Sequence, residues 1–422
     1  MASWRGTSNT VSRALALIGE GILDGAGNSV ENLAERLGVG GRQLRRLFIQ
    51  HLGASPTAVA QTRRVLFAKQ LIHDTDLPMT EVAAAAGFGS LRRFNETFLD
   101  LFHRPPGMLR RRKLVGERER DVVVRLRYRP PYNWENMLTF LQARAIPGVE
   151  VVEDGRYLRT VEIDGALGSI SVAHLPKEQS LELSILFPNL RAFPAIVARV
   201  RRLFDLGADI GRIEQHLAGD PVLAELVVQR PGLRAPGGWE GFEVAIRAVL
   251  GQQISVGTAR QLAGRLVELY GRRVPRAFRN HPLLSHAFPR ATRLASSASI
   301  QLAMPGARLI ALTEMARATV ADPTLFHPLN GLSETVARLK AIRGIGEWSA
   351  QYIALRAVGE SDAFPATDLG LLRGAAALLG STVSPAVLLA RAENWRPWRA
   401  YAAQHLWAAG GKAAESNSSA AA

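Results

Sequence analysis

One aspartate is well suited to stabilise a positive charge, because it precedes a predicted helix. Asp368 lies in the stretch DAFPATDLGLLRG, and the leucine-rich segment that follows it is typical of a helix. Aspartate is favoured as a capping residue at helix N-termini, so the carboxylate can have a purely structural role. The two roles are compatible, since a carboxylate at the positive end of a helix stays ionised and can stabilise a nearby cation.

A second informative stretch is LKAIRGIGEWSAQYIAL, which spans Leu339–Leu355. Gly344 and Gly346 flank Ile345 between two segments with helical patterns, which predicts a tight turn between closely packed helices. Backbone amides at the start of the second helix are free to bind a phosphate group. The pattern therefore favours a helix-hairpin-helix that binds a nucleic-acid backbone, although an ordinary tight turn between helices has the same signature.

The N-terminal part of the chain contains an internal repeat. VENLAERLGVGGRQLRRLFIQHLGASP (Val30–Pro56) is echoed by TEVAAAAGFGSLRRFNETFLDLFHRPP (Thr80–Pro106). Each copy has a short apolar helix, a glycine turn at Gly38 or Gly87, and a second amphipathic helix. This arrangement is the signature of a helix-turn-helix, and one long helix, roughly 56–73, joins the two copies.

The second helix of each copy carries side chains that can hydrogen bond to base edges in a DNA major groove. Those with this potential are Arg42, Gln43, Arg45, Arg46, Ser90, Arg92, Arg93 and Asn95. The residues expected to contact DNA are Arg42, Gln43, Arg46, Arg92 and Arg93. The alternative is that these side chains are solvated or contact only phosphate groups.

Beyond the repeat the sequence pattern changes twice. Alternation predicts strands at 122–128, 149–153, 157–163, 168–174 and 181–187, and amphipathic segments predict helices at 133–145 and 193–206. From about 209 to 410 the pattern is helical throughout. We therefore expect a helix-turn-helix domain (1–115) ending near the basic run Arg110–Lys113, a small α+β domain (120–208), a helical domain (209–410) and a disordered tail (411–422).

The composition narrows the classes of function. The chain has 422 residues, no cysteine, a formal net charge of +15 and a pI of about 11.0. The positive charge predicts a polyanionic partner, nucleic acid before an anionic membrane surface, although a basic protein can also be merely soluble. The absence of cysteine excludes disulfides, thiolate metal sites and a cysteine nucleophile. No apolar run could span a membrane and no signal-peptide core is present, so we expect a cytoplasmic protein associated with the nucleoid.

Several stretches together resemble a known enzyme family. YRPPYNWENMLTFLQARA, FEVAIRAVLGQQISV, IRGIGEWSAQYIALRA and WRPWRAYAAQHLW are similar to 3-methyladenine DNA glycosylase II, the alkylation-repair branch of the helix-hairpin-helix DNA glycosylase superfamily. This resemblance covers roughly 122–410, and 12–112 resembles an AraC-type DNA-binding domain. The two resemblances imply a multidomain, mainly α-helical protein: a double helix-turn-helix, a small α+β domain with an antiparallel sheet, and all-α helix-hairpin-helix subdomains with the active cleft between them.

The resemblance also implies roles for individual residues. Asp368 is the catalytic carboxylate, and Gln253 is the wedge that fills the space left by a flipped base. The DNA-binding hairpin consists of Gly344, Ile345 and Gly346. The base pocket is lined by aromatic side chains, whose faces attract the positive charge of an alkylated purine: Trp348, Tyr352, Trp407 and Phe140. Each of these aromatic residues could instead be an ordinary core residue.

Three positions depart from the family pattern. Thr367 precedes the aspartate where a second acidic residue is common, Arg343 stands where proline is common, and Gln253 stands where leucine occurs. Glutamine can hydrogen bond to the orphaned partner base, but it fills less apolar space. These departures leave the range of damaged bases open.

Two functions are compatible with these patterns. The first is a monofunctional DNA glycosylase of base excision repair, which flips an alkylated base and hydrolyses its N-glycosidic bond. Strand cleavage is not expected, since Trp348 stands where strand-cutting members of the superfamily carry a lysine. The second is a transcription regulator whose glycosylase-like half only senses damage; the carboxylate and the pocket aromatics weigh against it. A repair enzyme fused to a regulatory DNA-binding domain combines the two.

The expected partner is double-stranded DNA, with no membrane, and the expected state is a monomer. The resemblance implies no metal and no cofactor, with a monovalent cation at the hairpin left open. In related bacterial fusions a cysteine–zinc methyl-acceptor domain precedes the helix-turn-helix part. This chain starts just before that part and has no cysteine, so methyl transfer to a thiol within it is not expected.

Overall fold

The computed structural model describes residues 4–24, 29–110, 121–297, 300–327 and 331–419, and their side chains from Thr10 to Gly410. Of the predicted basic run, Arg110 lies among the described residues, and 111–113 lie outside them. None of the described helices combines the length and the hydropathy that a transmembrane span requires.

The N-terminal helices form the two predicted helix-turn-helix units: α1 (Trp4–Gly19), α2 (Val30–Arg36), α3 (Gly41–Leu52), α4 (Pro56–Asp74), α5 (Met79–Ala85) and α6 (Leu91–Phe102). Gly38 and Gly87 lie in the turns before α3 and α6, with φ angles of 68° and 88°. Glycine adopts this left-handed backbone without strain. Phe48 of α3 and Phe94 of α6 are fully buried, as their helical spacing predicts. The prediction of two units joined by one long helix, α4, is confirmed.

Five antiparallel strands follow: β1 (Val122–Arg127), β2 (Glu150–Glu153), β3 (Arg156–Ile163), β4 (Ala166–Leu175) and β5 (Ser180–Leu186). Their order in the sheet is β1-β5-β4-β3-β2, so β1 and β2 are its edges. Side chains of two helices, α7 (Trp134–Arg144) and α8 (Phe193–Leu203), share the core of the sheet. Each strand lies within about two residues of its predicted position, because alternating burial is a strong local signal.

The second helix-turn-helix unit packs directly on this sheet. Side chains of α4, α5 and α6 share one buried core with β1, β4 and β5, and Leu71 and Val124 are among its fully buried members. The Gln70 amide donates to the Arg125 carbonyl, and the Arg125 backbone N–H donates to Asp74, which joins α4 to the edge strand β1. An edge strand presents unpaired backbone groups, and here α4 satisfies two of them.

Helices form most of the remaining chain: α9 (Ile210–Leu217), α10 (Pro221–Gln229), α11 (Gly241–Leu250), α12 (Val256–Tyr270), α13 (Ala291–Ala295), α14 (Gly306–Ala321), α15 (Leu332–Lys340), α16 (Glu347–Ile353), α17 (Leu369–Leu379), α18 (Pro385–Ala392) and α19 (Arg399–Ser419). Side chains of the six helices from α11 through α16 form one buried core, and side chains of α9, α10, α17, α18 and α19 form another. Trp407 packs against both cores. The two cores correspond to the two helical subdomains that the resemblance implies.

Two features of the helical part differ from the sequence expectation. A two-stranded ribbon, β6 (Arg272–Arg273) with β7 (His286–Ala287), follows α12 and is too short to produce a detectable alternation. The last helix, α19, continues to Ser419, whereas the small polar composition predicts disorder from 411. Alanine, which is frequent in this segment, has the highest intrinsic helix propensity, and this favours continuation of the helix. Residues 420–422 of the predicted tail lie outside the described residues.

A buried cluster of charges fixes the sheet against the helical part. Arg159 of β3 donates to Glu243 of α11 at 2.7 Å, and Arg247 of α11 contacts both Glu243 and Glu150. Burial opposes ionisation of Glu243, but the two arginines hold its pKa well below the usual range. Removing one member of a buried ion pair leaves the other charge buried and unpaired, which is costly. The cluster therefore resists separation of the sheet from the helical part. Arg247 also donates to the carbonyl of Arg144 at 2.8 Å, which connects the end of α7 to α11.

Candidate active site

Asp368 is the N-cap of α17, as its sequence context predicts. Its Oδ1 accepts hydrogen bonds from the backbone N–H groups of Gly370 at 2.8 Å and Leu371 at 3.0 Å. The same oxygen accepts from the indole Nε1 of Trp407 at 2.8 Å, and Oδ2 accepts from the indole Nε1 of Trp348 at 2.7 Å. The carboxylate is therefore held in one orientation by four donors from three different helices.

The two indole contacts go beyond the sequence expectation. The resemblance implies only a base-lining role for Trp348 and Trp407, whereas each is also a hydrogen-bond donor to Asp368. The signal was present in the pattern, because a partly buried indole N–H needs an acceptor and the predicted site contained one carboxylate. Trp348 and Trp407 therefore both orient the carboxylate of Asp368.

Three of the four predicted pocket aromatics contact one another around Asp368. Trp348 and Tyr352 are stacked, with ring centroids 5.4 Å apart and planes inclined by 19°. Tyr352 and Trp407 meet edge to face at 6.5 Å and 71°. All three rings are half-buried, so each keeps an accessible surface next to the carboxylate. The arrangement can hold a flat, electron-poor ring near a negative charge.

Phe140, the fourth predicted aromatic, is joined to the others through an arginine. The guanidinium carbon of Arg356 lies 4.6 Å from the centroid of Phe140 and 5.0 Å from that of Trp407. A second guanidinium, of Arg144, lies 4.0 Å from Phe140. Sequence reasoning missed Arg356, although a single charge inside the apolar run YIALRAV was a signal that could have identified it.

Arg356 lies in a π-helical segment, Ala354–Val358, that extends α16. Such segments insert an extra residue into a helix and are frequent at functional sites. Its guanidinium donates to the carbonyl of Pro236 at 2.7 Å and to the side-chain oxygen of Gln404 at 2.8 Å. Burial lowers the pKa of Arg356 to about 10, so the side chain remains charged at neutral pH.

The two hairpin glycines between α15 and α16 have different structural roles. Gly344 has a φ of +88°, and a Cβ at this position would lie 2.4 Å from the Cβ of Ala311. Gly346 is the N-cap of α16 with an extended backbone, and a Cβ there would meet nothing within 4 Å. Ile345 between them is buried. Gly344 is therefore required by the fold, whereas the fold leaves room for a side chain at Gly346.

The predicted wedge, Gln253, is exposed in the loop between α11 and α12. Its φ of 59° is in the left-handed region, where a residue other than glycine is strained, and such strain is concentrated at functional sites. The adjacent Gln252 donates to the carbonyl of Gly344 and to the hydroxyl of Ser349, both at 3.0 Å. The wedge loop and the hairpin are therefore connected, and they present one surface.

Comparison with known proteins identifies the family. A family profile described as "AlkA N-terminal domain" matches residues 123–240, and one described as "Helix-turn-helix domain" matches residues 33–112. A Mycobacterium tuberculosis protein, "Probable bifunctional transcriptional activator/DNA repair enzyme AlkA", is 39% identical over 410 residues, or 96% of this chain and 81% of that protein. The chain belongs to the AlkA family.

A second AlkA-family relative is the DNA-3-methyladenine glycosylase 2 of Escherichia coli. It is 33% identical over 286 residues, which are 67% of this chain and 95% of that protein. The fold is shared with the 3-methyladenine DNA-glycosylase from Archaeoglobus fulgidus, at a TM-score of 0.59 and 22% identity, over 68% of this chain and 97% of that chain. The resemblance predicted from the motifs is confirmed for both the AlkA part and the helix-turn-helix part.

In this AlkA-family chain the predicted DNA-contacting residues of the helix-turn-helix units are exposed. Arg42, Gln43 and Arg46 lie on α3, and Arg92 and Arg93 lie on α6. Arg92 pairs with Glu96 one turn along α6. Exposed pairs of this kind contribute little to stability, so the guanidinium can exchange its partner for a phosphate group or a base.

Proposed function

We propose that this chain is a DNA glycosylase that hydrolyses the N-glycosidic bond of alkylated bases in double-stranded DNA. The observation that carries the proposal is the carboxylate of Asp368, held by four donors beside three half-buried aromatic rings. Its similarity to the Escherichia coli DNA-3-methyladenine glycosylase 2 supports the type of substrate. We further propose that the protein acts as a monomer.

In the proposed reaction, the hairpin binds the DNA backbone and Gln253 enters the duplex as the damaged nucleotide turns outwards. Flipping a nucleotide costs a few kcal/mol, and least for a damaged or weakly paired base. The backbone amides at the start of α16 contact phosphate and carry no sequence information. Residues 1–115 would add DNA binding, 120–208 would supply Phe140, and 209–410 would carry the catalytic residues.

The chemistry requires a negative charge near the sugar. As the bond to the base breaks, the sugar becomes an oxocarbenium ion, and the Asp368 carboxylate stabilises it. Oδ1 already accepts three hydrogen bonds, whereas Oδ2 accepts one, from Trp348. Oδ2 therefore retains lone-pair capacity for the sugar or for the attacking water. An N-alkylated purine is a good leaving group, so little acid catalysis is needed.

The direct test is release of free base. A duplex treated with a methylating agent is incubated with the full-length protein, and the supernatant is separated by chromatography. Release of methylated purines, with an abasic site left in the duplex, is the expected result. A folded protein that binds the duplex and releases no base would contradict the proposal.

We also predict that the enzyme does not cut the strand. A lyase needs an amine that attacks the sugar carbon and forms a Schiff base, and the indole of Trp348 cannot do so. Lys340, at the end of α15, is paired with Glu347 at 2.7 Å on the hairpin surface. Borohydride added during turnover should trap no enzyme–DNA adduct, while a bifunctional glycosylase/lyase on its own substrate serves as the positive control. Efficient trapping would show that another amine performs a lyase step.

The helix-turn-helix units support a second proposed activity, regulatory DNA binding. The double variant Arg42→Ala/Arg46→Ala should weaken binding to undamaged duplex and reduce the slope of log affinity against log salt by about two, because each lost phosphate contact releases about one counterion fewer. Base release at saturating enzyme should be unchanged. Arg125→Ala, which removes a charge from the sheet, is the control. Equal effects of the two changes would contradict DNA binding by α3.

A further inference from the structure

A buried cation lies against the aromatic rings of the candidate pocket. Arg356 is 3% exposed, and it forms no ion pair with any carboxylate in the part of the chain that the structure describes. Its guanidinium carbon is 4.6 Å from the ring centroid of Phe140, 5.0 Å from that of Trp407 and 5.9 Å from that of Tyr352. Its Nε has no hydrogen-bond partner among the described residues. Its hydrogen bonds go to neutral acceptors, the Pro236 carbonyl, the Gln404 side chain and the Tyr352 hydroxyl, so a buried positive charge is left without a paired carboxylate, and its retention needs an explanation.

A base can reach the exposed parts of the rings but not this charge. The three rings are half-buried, whereas Arg356 is only 3% exposed, so at least one ring separates a stacked base from the guanidinium. A base that stacks on the accessible side of one of these rings would lie about 8 Å from the guanidinium carbon. At that distance two unit charges interact by an amount that corresponds to about 30-fold in an equilibrium constant, if the effective dielectric constant is about 20.

Other charged groups near Arg356 do not cancel its effect on the base. Arg144 places a second positive charge against the ring of Phe140. Burial of the guanidinium has the largest effect on the pKa of Arg356 and lowers it, whereas the charge of Asp368, the nearby anion, raises that pKa by less; in the proposed reaction the carboxylate stabilises the sugar. The hydrogen bonds of Arg356 to Pro236 and Gln404 involve neutral acceptors. Two guanidinium groups and one carboxylate therefore leave a net positive charge around the rings.

We propose that Arg356 is a specificity-determining residue, whose charge favours excision of neutral damaged bases relative to cationic ones. This inference rests on the proposed function of the site. It assigns to Arg356 an electrostatic role that acts through the rings, in addition to its anchoring of α16 against Pro236 and Gln404.

The charge of the base changes along the reaction. When the glycosidic bond breaks, its electron pair moves to the base and the sugar becomes positive. The base charge therefore falls by one unit, from cationic to neutral or from neutral to anionic. A nearby guanidinium favours this change equally in both cases, so it raises the maximal rate for both types of base.

Binding of the base differs between the two types. A cationic base is repelled by the guanidinium on entering the pocket, whereas a neutral base is not. For a cationic base the binding penalty cancels the gain in rate. Its leaving group is neutral in the transition state, so the guanidinium neither stabilises nor destabilises that state relative to the unbound substrate. The ratio of maximal rate to half-saturating concentration therefore gains only for neutral bases.

The test compares Arg356→Gln with Arg356→Lys in the full-length protein. Both replacements can donate a hydrogen bond to the Pro236 carbonyl, and only lysine keeps the charge. Single-turnover rates are measured on two duplexes that carry either one N7-methylguanine, which is cationic, or one hypoxanthine, which is neutral. For Arg356→Gln we expect the ratio of maximal rate to half-saturating concentration to fall about tenfold on hypoxanthine and less than about twofold on N7-methylguanine. On N7-methylguanine the maximal rate and the half-saturating concentration should fall together.

Controls separate the charge from the anchoring role. Arg356→Lys should keep the wild-type preference between the two bases, and Gln404→Leu, which removes an anchor and keeps the guanidinium, should change both substrates by the same factor. If Arg356→Gln does not fold, Arg144→Gln removes the more accessible cation and should shift the preference in the same direction by a smaller factor. Thermal unfolding of every variant identifies those that are merely destabilised.

The outcomes distinguish this inference from the function on which it rests. If the wild-type protein releases neither base, the proposed function is wrong. If it releases N7-methylguanine and no hypoxanthine, or if Arg356→Gln and Arg356→Lys reduce both substrates equally, the glycosylase function stands and the role of the Arg356 charge is wrong. An unchanged preference in Arg144→Gln, with Arg356→Gln unfolded, would also overturn it.

Discussion

Asp368→Asn should reduce base release by at least about a thousandfold and leave duplex binding nearly unchanged. The side chain keeps its shape, and asparagine caps a helix as well as aspartate does, so α17 should form normally. What is lost is a charge that acts on the oxocarbenium ion, and such interactions raise the rate without strengthening substrate binding. The amide also cannot accept from both Trp348 and Trp407 at their present positions, since only one of its two polar atoms is an acceptor.

The chain contains a matched control for this change. Asp220 is the N-cap of α10, and its carboxylate accepts from the Val222 backbone N–H at 2.8 Å and from the indole of Trp395 at 2.8 Å. It therefore repeats the local chemistry of Asp368 at a site buried in the core beside Arg391. Asp220→Asn should lower the melting temperature and leave the rate per folded molecule unchanged. Substantial release by Asp368→Asn, measured under single-turnover conditions, would remove Asp368 from the mechanism.

The two hairpin glycines should respond differently to an added side chain. Gly346→Thr adds a branched side chain at an open, extended position, and threonine can cap α16. Stability should therefore change little, while affinity for damaged and undamaged duplex alike should fall at least about tenfold, or about 1.4 kcal/mol. The reason is that the new side chain separates the amides of α16 from the DNA backbone.

Gly344→Ala should instead act through the fold. Its Cβ would clash with Ala311, and its φ of +88° disfavours any side chain, so the melting temperature should fall together with binding. Thermal unfolding and duplex affinity, measured on both variants at two salt concentrations, separate the two effects. If Gly346→Thr binds both duplexes as tightly as the unsubstituted protein, the hairpin has only a structural role.

Much of the fold could be predicted because its signals are local. The turns at Gly38 and Gly87, the alternation in β1–β5 and the cap at Asp368 each depend on residues within a few positions of one another. Backbone preference and the periodicity of burial act over that range. Two segments were predicted wrongly because their local signals are weak. The two-residue strand β6 is too short to show alternation, and the alanine-rich segment after 410 has no periodicity that distinguishes a helix from disorder.

By itself, the sequence determined the family and supplied candidate residues for the site, without Arg356. The tertiary structure alone decided how those residues are connected. Arg356 and its ring partners Phe140 and Trp407 come from three helices that are distant in the chain, so no local pattern reveals their contact. Likewise, the apolar residues of α4 specify that part of the helix is buried, but not that β1 will cover it. A contact between distant elements depends on how the whole chain packs. Many apolar surfaces could cover the same helix face, and only the close packing of all elements together selects one of them.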